Sequence, residues 1–164
     1  MKIDISDIVK RDGALKEVVF NGSLDDLQDL ADITIDAPVS LNAQLINEKG
    51  IIKLEGTLKT HYTGICHKCL KIAGADMDLN ISESIVNSET NSDIEVYTYE
   101  GRLIDLGKII RDNIILNLPM RLLCEETCRG ICPVCGTDMN VKDCDCSKED
   151  TNLQMEMLKN FFSN

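Results

Sequence analysis

The chain has 164 residues, of which 43% are hydrophobic and only 4% aromatic, so it can form one domain of ordinary size with a core of Ile, Leu and Val. Its formal net charge of −11 disfavours direct binding to a phosphate backbone and favours basic partners, although acidity can also serve solubility alone. The start of the chain lacks the apolar segment of a secretory signal, and no apolar run has the length of a transmembrane helix. We therefore expect a cytoplasmic protein without membrane contact.

Alternation of apolar and polar residues predicts a β-rich first part, residues 1–120. The clearest strand signal is residues 32–46, where seven alternate positions are apolar. The other strand candidates, in chain order, are MKIDIS, LKEVVFNG, residues 51–65 after a turn at 47–50, residues 71–86, and residues 94–106. Together these segments predict an antiparallel β-sheet or a partly closed barrel.

A helix is predicted near 105–117, after a loop at 87–93. Asp105 can cap its start, and Pro119 ends it because the residue before a proline avoids the helical region. Its apolar face consists of Leu106, Ile109, Ile110 and Ile114. A last helix is predicted after Ser147, so the expected fold class is α+β with a few helices. Residues 121–164 are predicted to form a separate cysteine-rich tail.

Six of the eight cysteines lie between residues 124 and 146, in a segment too short and too polar to bury a core. A cytosolic chain keeps its thiols reduced, so we expect metal ligation to replace that core. The Cys-x-x-Cys spacing directs two sulfurs at one tetrahedral ion. The predicted metal ligands are Cys66, Cys69, Cys124, Cys128, Cys132, Cys135, Cys144 and Cys146.

The sequence leaves the pairing of these ligands open. In one arrangement the tail closes on itself through Cys132, Cys135, Cys144 and Cys146. The other four then form a second site that docks the tail on the hairpin at 64–70, namely Cys66, Cys69, Cys124 and Cys128. In the rival arrangement, one zinc ion joins Cys66 and Cys69 to two tail cysteines. Sites of four thiolates leave no open position, so the predicted zinc ions, two in the first arrangement, are structural.

Catalytic residues are not predicted anywhere in the chain. The two histidines, His61 and His67, have no obvious nucleophile near them in sequence, and there is no Gly-rich phosphate loop. A turn residue between two metal ligands, such as His67, usually points to solvent. The residues therefore favour a protein that is not an enzyme.

The tail resembles the family of bacterial and plastid proteins known as YceD or DUF177. The shared pattern runs Leu-Pro, a pair of cysteines, Gly-x-Cys-x-x-Cys-Gly, an Asn and Cys-x-Cys. Here it is represented by Leu118, Pro119, Cys124, Cys128, Gly130, Cys132, Cys135, Gly136, Asn140, Cys144 and Cys146. The family's earlier Cys-x-x-Cys-Leu corresponds to Cys66, Cys69 and Leu70. The chain has His67-Lys68 where the family often has Arg, and Asp150-Thr151-Asn152 where it often has Asp-Pro-Arg.

This resemblance implies a role in accumulation of the large ribosomal RNA and in assembly of the large ribosomal subunit. The charge of the chain limits how that role can be carried out. We expect the partners to be basic ribosomal proteins or pre-50S particles, and direct binding to naked RNA to be weak. The alternative is a zinc-delivery protein or a zinc-dependent enzyme.

Overall fold

The computed structural model of the protein describes residues 1–23, 33–88 and 96–146. The elements in these ranges are β1 (Lys2–Asp4), β2 (Leu15–Gly22), β3 (Ile33–Ile35), β4 (Val39–Glu48), β5 (Ile51–Ile65), β6 (Ile72–Asn87), β7 (Tyr97–Tyr99), β8 (Leu103–Asp105) and α1 (Leu106–Asn117). The larger sheet has the order β2-β4-β5-β6-β7, with β3 also paired to β5, and β1 pairs with β8. The predicted α+β class is confirmed. Of the two predicted forms, an antiparallel sheet or a partly closed barrel, the protein has the sheet, which stays open across the described ranges.

A long hairpin, β5 and β6, forms the centre of the sheet. The two strands pair antiparallel from Ile52 opposite Ile85 to Ile65 opposite Ile72. Both strands were predicted from alternation, to within one residue at each end. The turn of this hairpin carries the first Cys-x-x-Cys pair.

The turn predicted at 47–50 joins β4 to β5. Lys49 and Gly50 both have positive φ, of 52° and 91°, as a two-residue loop of the type that suits hairpin twist requires. The Asn47 side chain supports the turn, since its Oδ1 accepts a hydrogen bond of 2.9 Å from the Gly50 N–H. Its Nδ2 donates to the Ile8 carbonyl at 2.8 Å, which ties the turn to the N-terminal segment.

The single strand predicted over residues 32–46 is wrong. Residues 33–48 form two strands, β3 and β4, which both pair with β5. Pro38 lies in the interruption between them and has no N–H to donate to a ladder. The regular pairing with β5 is therefore interrupted after Ile35 and resumes at Ser40, although the apolar alternation continues between them.

Two other sequence expectations need adjustment. The predicted antiparallel sheet includes one parallel pair, β6 with β7. Residues 97–105 contain two short strands instead of one, with a turn at Gly101 between them. Of the two predicted helices, the first lies in the described ranges, while the last helix and residues 89–93 of the predicted loop lie outside them.

Helix α1 agrees with the prediction from its periodicity. The Asp105 side chain accepts a hydrogen bond from the Gly107 N–H, and the four predicted apolar residues are all buried. Asn113 Nδ2 donates to Glu83 Oε1 at 2.9 Å, which attaches the helix to β6. Within the described ranges, no helix is both long enough and apolar enough to cross a membrane.

One hydrophobic core connects the sheet, the helix and the start of the cysteine-rich tail. Its members include Leu41, Leu54, Leu58, Ile85 and Ile110, all nearly free of solvent contact. The same cluster also contains Leu122 and the cysteines Cys66, Cys69 and Cys128. The core therefore extends directly into the first group of cysteines.

Candidate metal centres

The structure brings the eight predicted ligands together in two groups of four. The first group is Cys66, Cys69, Cys124 and Cys128, and the second is Cys132, Cys135, Cys144 and Cys146. Within each group, all sulfur atoms lie within 4.8 Å of one another. The first group is buried except for Cys124, whereas in the second only Cys132 is buried. This is the grouping of the two-site arrangement.

The hairpin turn between β5 and β6 positions half of the first group. The Cys66 N–H donates to the Lys71 carbonyl at 2.8 Å, and the Leu70 N–H donates to the Cys66 carbonyl at 2.9 Å. These bonds fold residues 66–71 into a tight turn that directs both sulfurs to one point. Cys66 Sγ then lies 3.9 Å from Cys128 Sγ, and Cys69 Sγ lies 3.5 Å from Cys124 Sγ.

Backbone hydrogen bonds also attach the tail to the hairpin. The His67 N–H donates to the Leu122 carbonyl at 2.9 Å, and the Ile131 N–H donates to the Lys68 carbonyl at 3.0 Å. Gly130 makes this approach possible, because a Cβ there would lie 2.8 Å from the Lys68 carbonyl oxygen and its φ is +76°. Lys68 Nζ adds a hydrogen bond of 3.0 Å to the Cys128 carbonyl.

The second group is held by a small ribbon within the tail. Ile131 and Asp138 form an antiparallel bridge, and the Cys132 N–H donates to the Thr137 carbonyl at 2.8 Å. The Gly136 N–H closes the turn on the Cys132 carbonyl at 2.9 Å, with φ of +73° at Gly136. Cys144 and Cys146 complete the group from the end of the described tail.

Asn140 and Asp138 join the tail to the first group and to the hairpin. Asn140 Nδ2 lies 3.5 Å from Cys128 Sγ and donates to Asp138 Oδ1 at 2.8 Å, while Asn140 Oδ1 accepts from the Arg129 N–H at 2.7 Å. Asp138 Oδ2 forms an ion pair of 2.6 Å with Lys71 of the hairpin. Local sequence carries no signal for this ion pair, because 67 positions separate the two residues.

The thiols within each group differ in pKa. A hydrogen bond from the Cys69 N–H lowers the pKa of Cys66 to about 6, whereas hydrogen bonding to the Cys128 and Cys69 sulfurs raises that of Cys124 to about 12. In the second group the Thr137 hydroxyl lowers the pKa of Cys135 to about 6, and contact with Cys135 raises that of Cys146 to about 12. Deprotonation of all four neighbouring sulfurs is unfavourable unless a cation compensates the repulsion between the thiolates.

The donor sets and spacings fit metal ions. Four thiolates at about 2.3 Å from a tetrahedral zinc ion have sulfur–sulfur edges of about 3.8 Å. The two distances in the first group, 3.5 and 3.9 Å, bracket that value. The two cysteine groups can therefore each hold a metal ion, with all four positions of a tetrahedron filled by sulfur.

Neither histidine belongs to a cysteine group. His67 is exposed between Cys66 and Cys69, as expected for a turn residue. His61 Nδ1 lies 2.6 Å from Asp36 Oδ1 on the outer face of the sheet, and this hydrogen bond raises the pKa of His61. The contact is an ordinary ion pair between His61 and Asp36, so it does not call for a metal or another ligand.

The chain is similar to proteins named for large ribosomal RNA accumulation. A model of the family described as "Large ribosomal RNA subunit accumulation protein YceD" matches residues 54–162. The Arabidopsis thaliana protein named "Large ribosomal RNA subunit accumulation protein YCED homolog 1, chloroplastic" is 24% identical over 155 residues, covering 75% of this chain and 48% of that protein. Its Zea mays counterpart of the same name is 23% identical, with 76% and 54% covered.

An uncharacterized protein of Mycobacterium tuberculosis is 28% identical over 147 residues, which cover 85% of this chain and 70% of that protein. The chain thus spans about half the length of the two chloroplast relatives. No solved structure matches it. Because the family model extends from β5 through both cysteine groups, the chain belongs to the YceD family of large ribosomal RNA subunit accumulation proteins.

Proposed function

We propose that this chain is a non-enzymatic zinc protein that supports accumulation of the large ribosomal RNA in the cytoplasm by binding basic ribosomal proteins or pre-50S particles. Membership of the YceD family is the observation that carries this proposal. The net charge of −11 supports a basic protein partner over naked RNA, because a negative surface repels phosphates.

Both cysteine groups support a structural role for the metal. Each provides four sulfurs, which fill a zinc tetrahedron and leave no position for a water or substrate. A catalytic zinc ion needs such an open position, so this donor set argues against a zinc-dependent enzyme. Zinc is favoured over harder cations such as magnesium, because thiolates are soft ligands.

The metal content provides the first test. We expect protein purified without chelator to contain close to two zinc ions per chain by elemental analysis. The double variant Cys144→Ser/Cys146→Ser should retain one, because the first group does not use those residues. One zinc ion in both proteins would favour the single-site arrangement, and iron or no metal in reduced protein would contradict the zinc proposal.

Zinc delivery is the second candidate function, and the exposure of the second group favours it. Cys135 is exposed and Cys144 and Cys146 are partly so, which gives a competing ligand access to the ion. Exchange with isotopically labelled zinc distinguishes the two functions. A structural protein should retain both ions over hours, whereas a delivery protein should release the second ion to an apo-acceptor within minutes.

The ribosomal role itself is tested in cells. Depletion of the chain should lower the amount of large ribosomal RNA relative to small ribosomal RNA, and gentle purification should recover large-subunit proteins with it. An unchanged ratio of the two RNAs on depletion would contradict the proposed function.

A further inference from the structure

Leu70 adopts an unusual backbone conformation at the tip of the long hairpin. Its φ is +61°, in the left-handed region that residues with a Cβ rarely adopt and glycine adopts freely. In the second group, the residue that follows the Cys-x-x-Cys pair is Gly136, with a similar φ of +73°. Leu70 therefore places a large aliphatic side chain where the backbone favours glycine.

Burial within the described chain does not explain this choice. Leu70 is 62% exposed, so its side chain gains little by leaving water. A non-glycine residue held in a sparsely populated conformation often marks a functional position. What Leu70 offers instead is an apolar side chain at a fixed position on the surface.

Two further aliphatic side chains are exposed beside it. Ile65 and Ile72 are directly paired where β5 and β6 meet the turn, and they are 50% and 82% exposed. Ile65, Leu70 and Ile72 thus form a group of three, the hairpin-tip patch. Clustered exposed apolar side chains are typical of interaction sites, whereas single ones are common on any surface.

Carboxylates border the hairpin-tip patch. Glu125 and Glu126 are exposed in the loop between Cys124 and Cys128, and Cys124 Sγ lies 3.5 Å from Cys69 Sγ, next to Leu70. Within the described part of the chain, neither glutamate forms an ion pair, whereas the nearby Lys71 is paired with Asp138. The turn also carries Lys68, whose Nζ bonds to a carbonyl and not to a carboxylate, so the border of the patch has charges of both signs, with the carboxylates Glu125, Glu126 and Asp138 outnumbering the cations Lys68 and Lys71.

We propose that the hairpin-tip patch is the docking site for a segment of a basic ribosomal protein that presents aliphatic side chains between lysines or arginines. This inference rests on the proposed function and specifies its binding surface. Aliphatic residues in the segment would contact Ile65, Leu70 and Ile72, and its cations would face Glu125 and Glu126. An RNA strand fits the patch poorly, because RNA is usually bound by aromatic and cationic side chains.

The decisive variant is Leu70→Gly, measured against individually purified basic proteins of the large subunit. It removes the side chain but suits the left-handed backbone, so the melting temperature should stay the same or rise. We expect its affinity for the partner that the wild-type chain binds to fall at least tenfold. Ile72→Ser should weaken binding in the same direction. Val19→Ser is the matched control, because Val19 is equally exposed but lies on β2, outside the patch.

The failures of the two proposals are distinguishable. If Leu70→Gly binds the basic protein as tightly as wild type, the docking inference is wrong and the proposed function stands. If the wild-type chain binds none of these proteins, the docking inference is wrong, and the proposed function is then tested by binding to pre-50S particles and by the RNA ratio on depletion. A lower melting temperature for Leu70→Gly would show that Leu70 packs within its own chain. If the wild-type chain is a dimer and Leu70→Gly makes it a monomer, the patch binds a second copy of the chain. If the wild-type chain binds ribosomal RNA tightly and Leu70→Gly does not, the patch binds RNA. Each of these three results would also overturn the inference.

Discussion

Asn140 supports the first cysteine group from outside the set of four sulfurs. Its amide group contacts Cys128 Sγ of the first group, and its backbone N–H donates to Asp138 Oδ1 at 2.9 Å. Residues that orient metal ligands from outside the coordination sphere often change metal affinity by 10- to 100-fold when they are replaced. Asn140 is the described residue best placed for such an effect here.

We expect Asn140→Ala to weaken zinc binding at the first group by about tenfold, because Cys128 loses a donor to its sulfur. The affinity can be measured by competition with a chromophoric chelator in the reduced protein. Asn42→Ala is a suitable control, since Asn42 is exposed on β4 and far in sequence from every cysteine. Equal zinc affinities in the two variants would show that Asn140 does not support the site.

At the residue scale, the candidate metal ligands could be predicted from the sequence, but the contacts that hold them in place could not. The spacing of the cysteines was enough to predict all eight as candidate ligands, and Asn140 was part of the family pattern. The Lys71–Asp138 ion pair and the approach of Gly130 to Lys68 were not predictable. Both depend on how the tail lies against the hairpin, which local sequence does not encode.

The hairpin and the tail depend on the two cysteine groups to different extents. The first group joins the turn at 66–69 to Cys124 and Cys128, and it continues the hydrophobic core. The second group closes a ribbon that contains little buried apolar surface. A structural zinc site contributes on the order of 10 kcal/mol to a segment of that kind. The boundary between a β-rich domain 1–120 and a tail 121–164 stays a prediction from the sequence, because Leu122 and Cys128 of the tail belong to the core of the sheet.

This difference predicts distinct effects for two matched substitutions. Cys132→Ser should remove amide-exchange protection from residues 130–146 and leave β4, β5 and β6 protected. Cys66→Ser should release residues 122–146 together and also loosen the hairpin end, because Cys66 is fully buried. Exchange measured by mass spectrometry on the reduced, zinc-loaded proteins tests both. Loss of protection throughout the chain in Cys132→Ser would mean that tail and sheet unfold as one unit.

Among the elements, the long periodic ones were predicted most accurately. β5, β6 and α1 have apolar patterns that match their periods over many residues, so their bounds came out within a residue or two. The break between β3 and β4 was missed because alternation continued across Pro38. The parallel pairing of β7 with β6 could not be predicted, because three residues carry too little pattern to specify a neighbour.

At the scale of the whole molecule, part of the acidic charge in the tail is neutralised by ion pairs. Asp138 is paired with Lys71, and Asp143 is paired with Arg129. Two of the acidic side chains in the described tail are therefore compensated locally. In the described tail, Glu125 and Glu126 stand out as adjacent, exposed and outside any ion pair.

If these two glutamates attract a basic partner, their effect should depend on position and on salt. We expect Glu125→Gln/Glu126→Gln to slow association with a basic large-subunit protein several-fold at low ionic strength, because opposite patches steer encounter. The difference from wild type should shrink as salt is added, since the screening length falls to about 8 Å at physiological ionic strength. Stopped-flow or surface-binding kinetics across a salt series measures this directly.

Glu17→Gln/Glu55→Gln is the matched control, because it changes the net charge equally on the exposed face of the sheet, far in sequence from the tail. If both double variants slow association to the same degree, the attraction comes from the overall charge of −11 and not from the surface beside the first cysteine group.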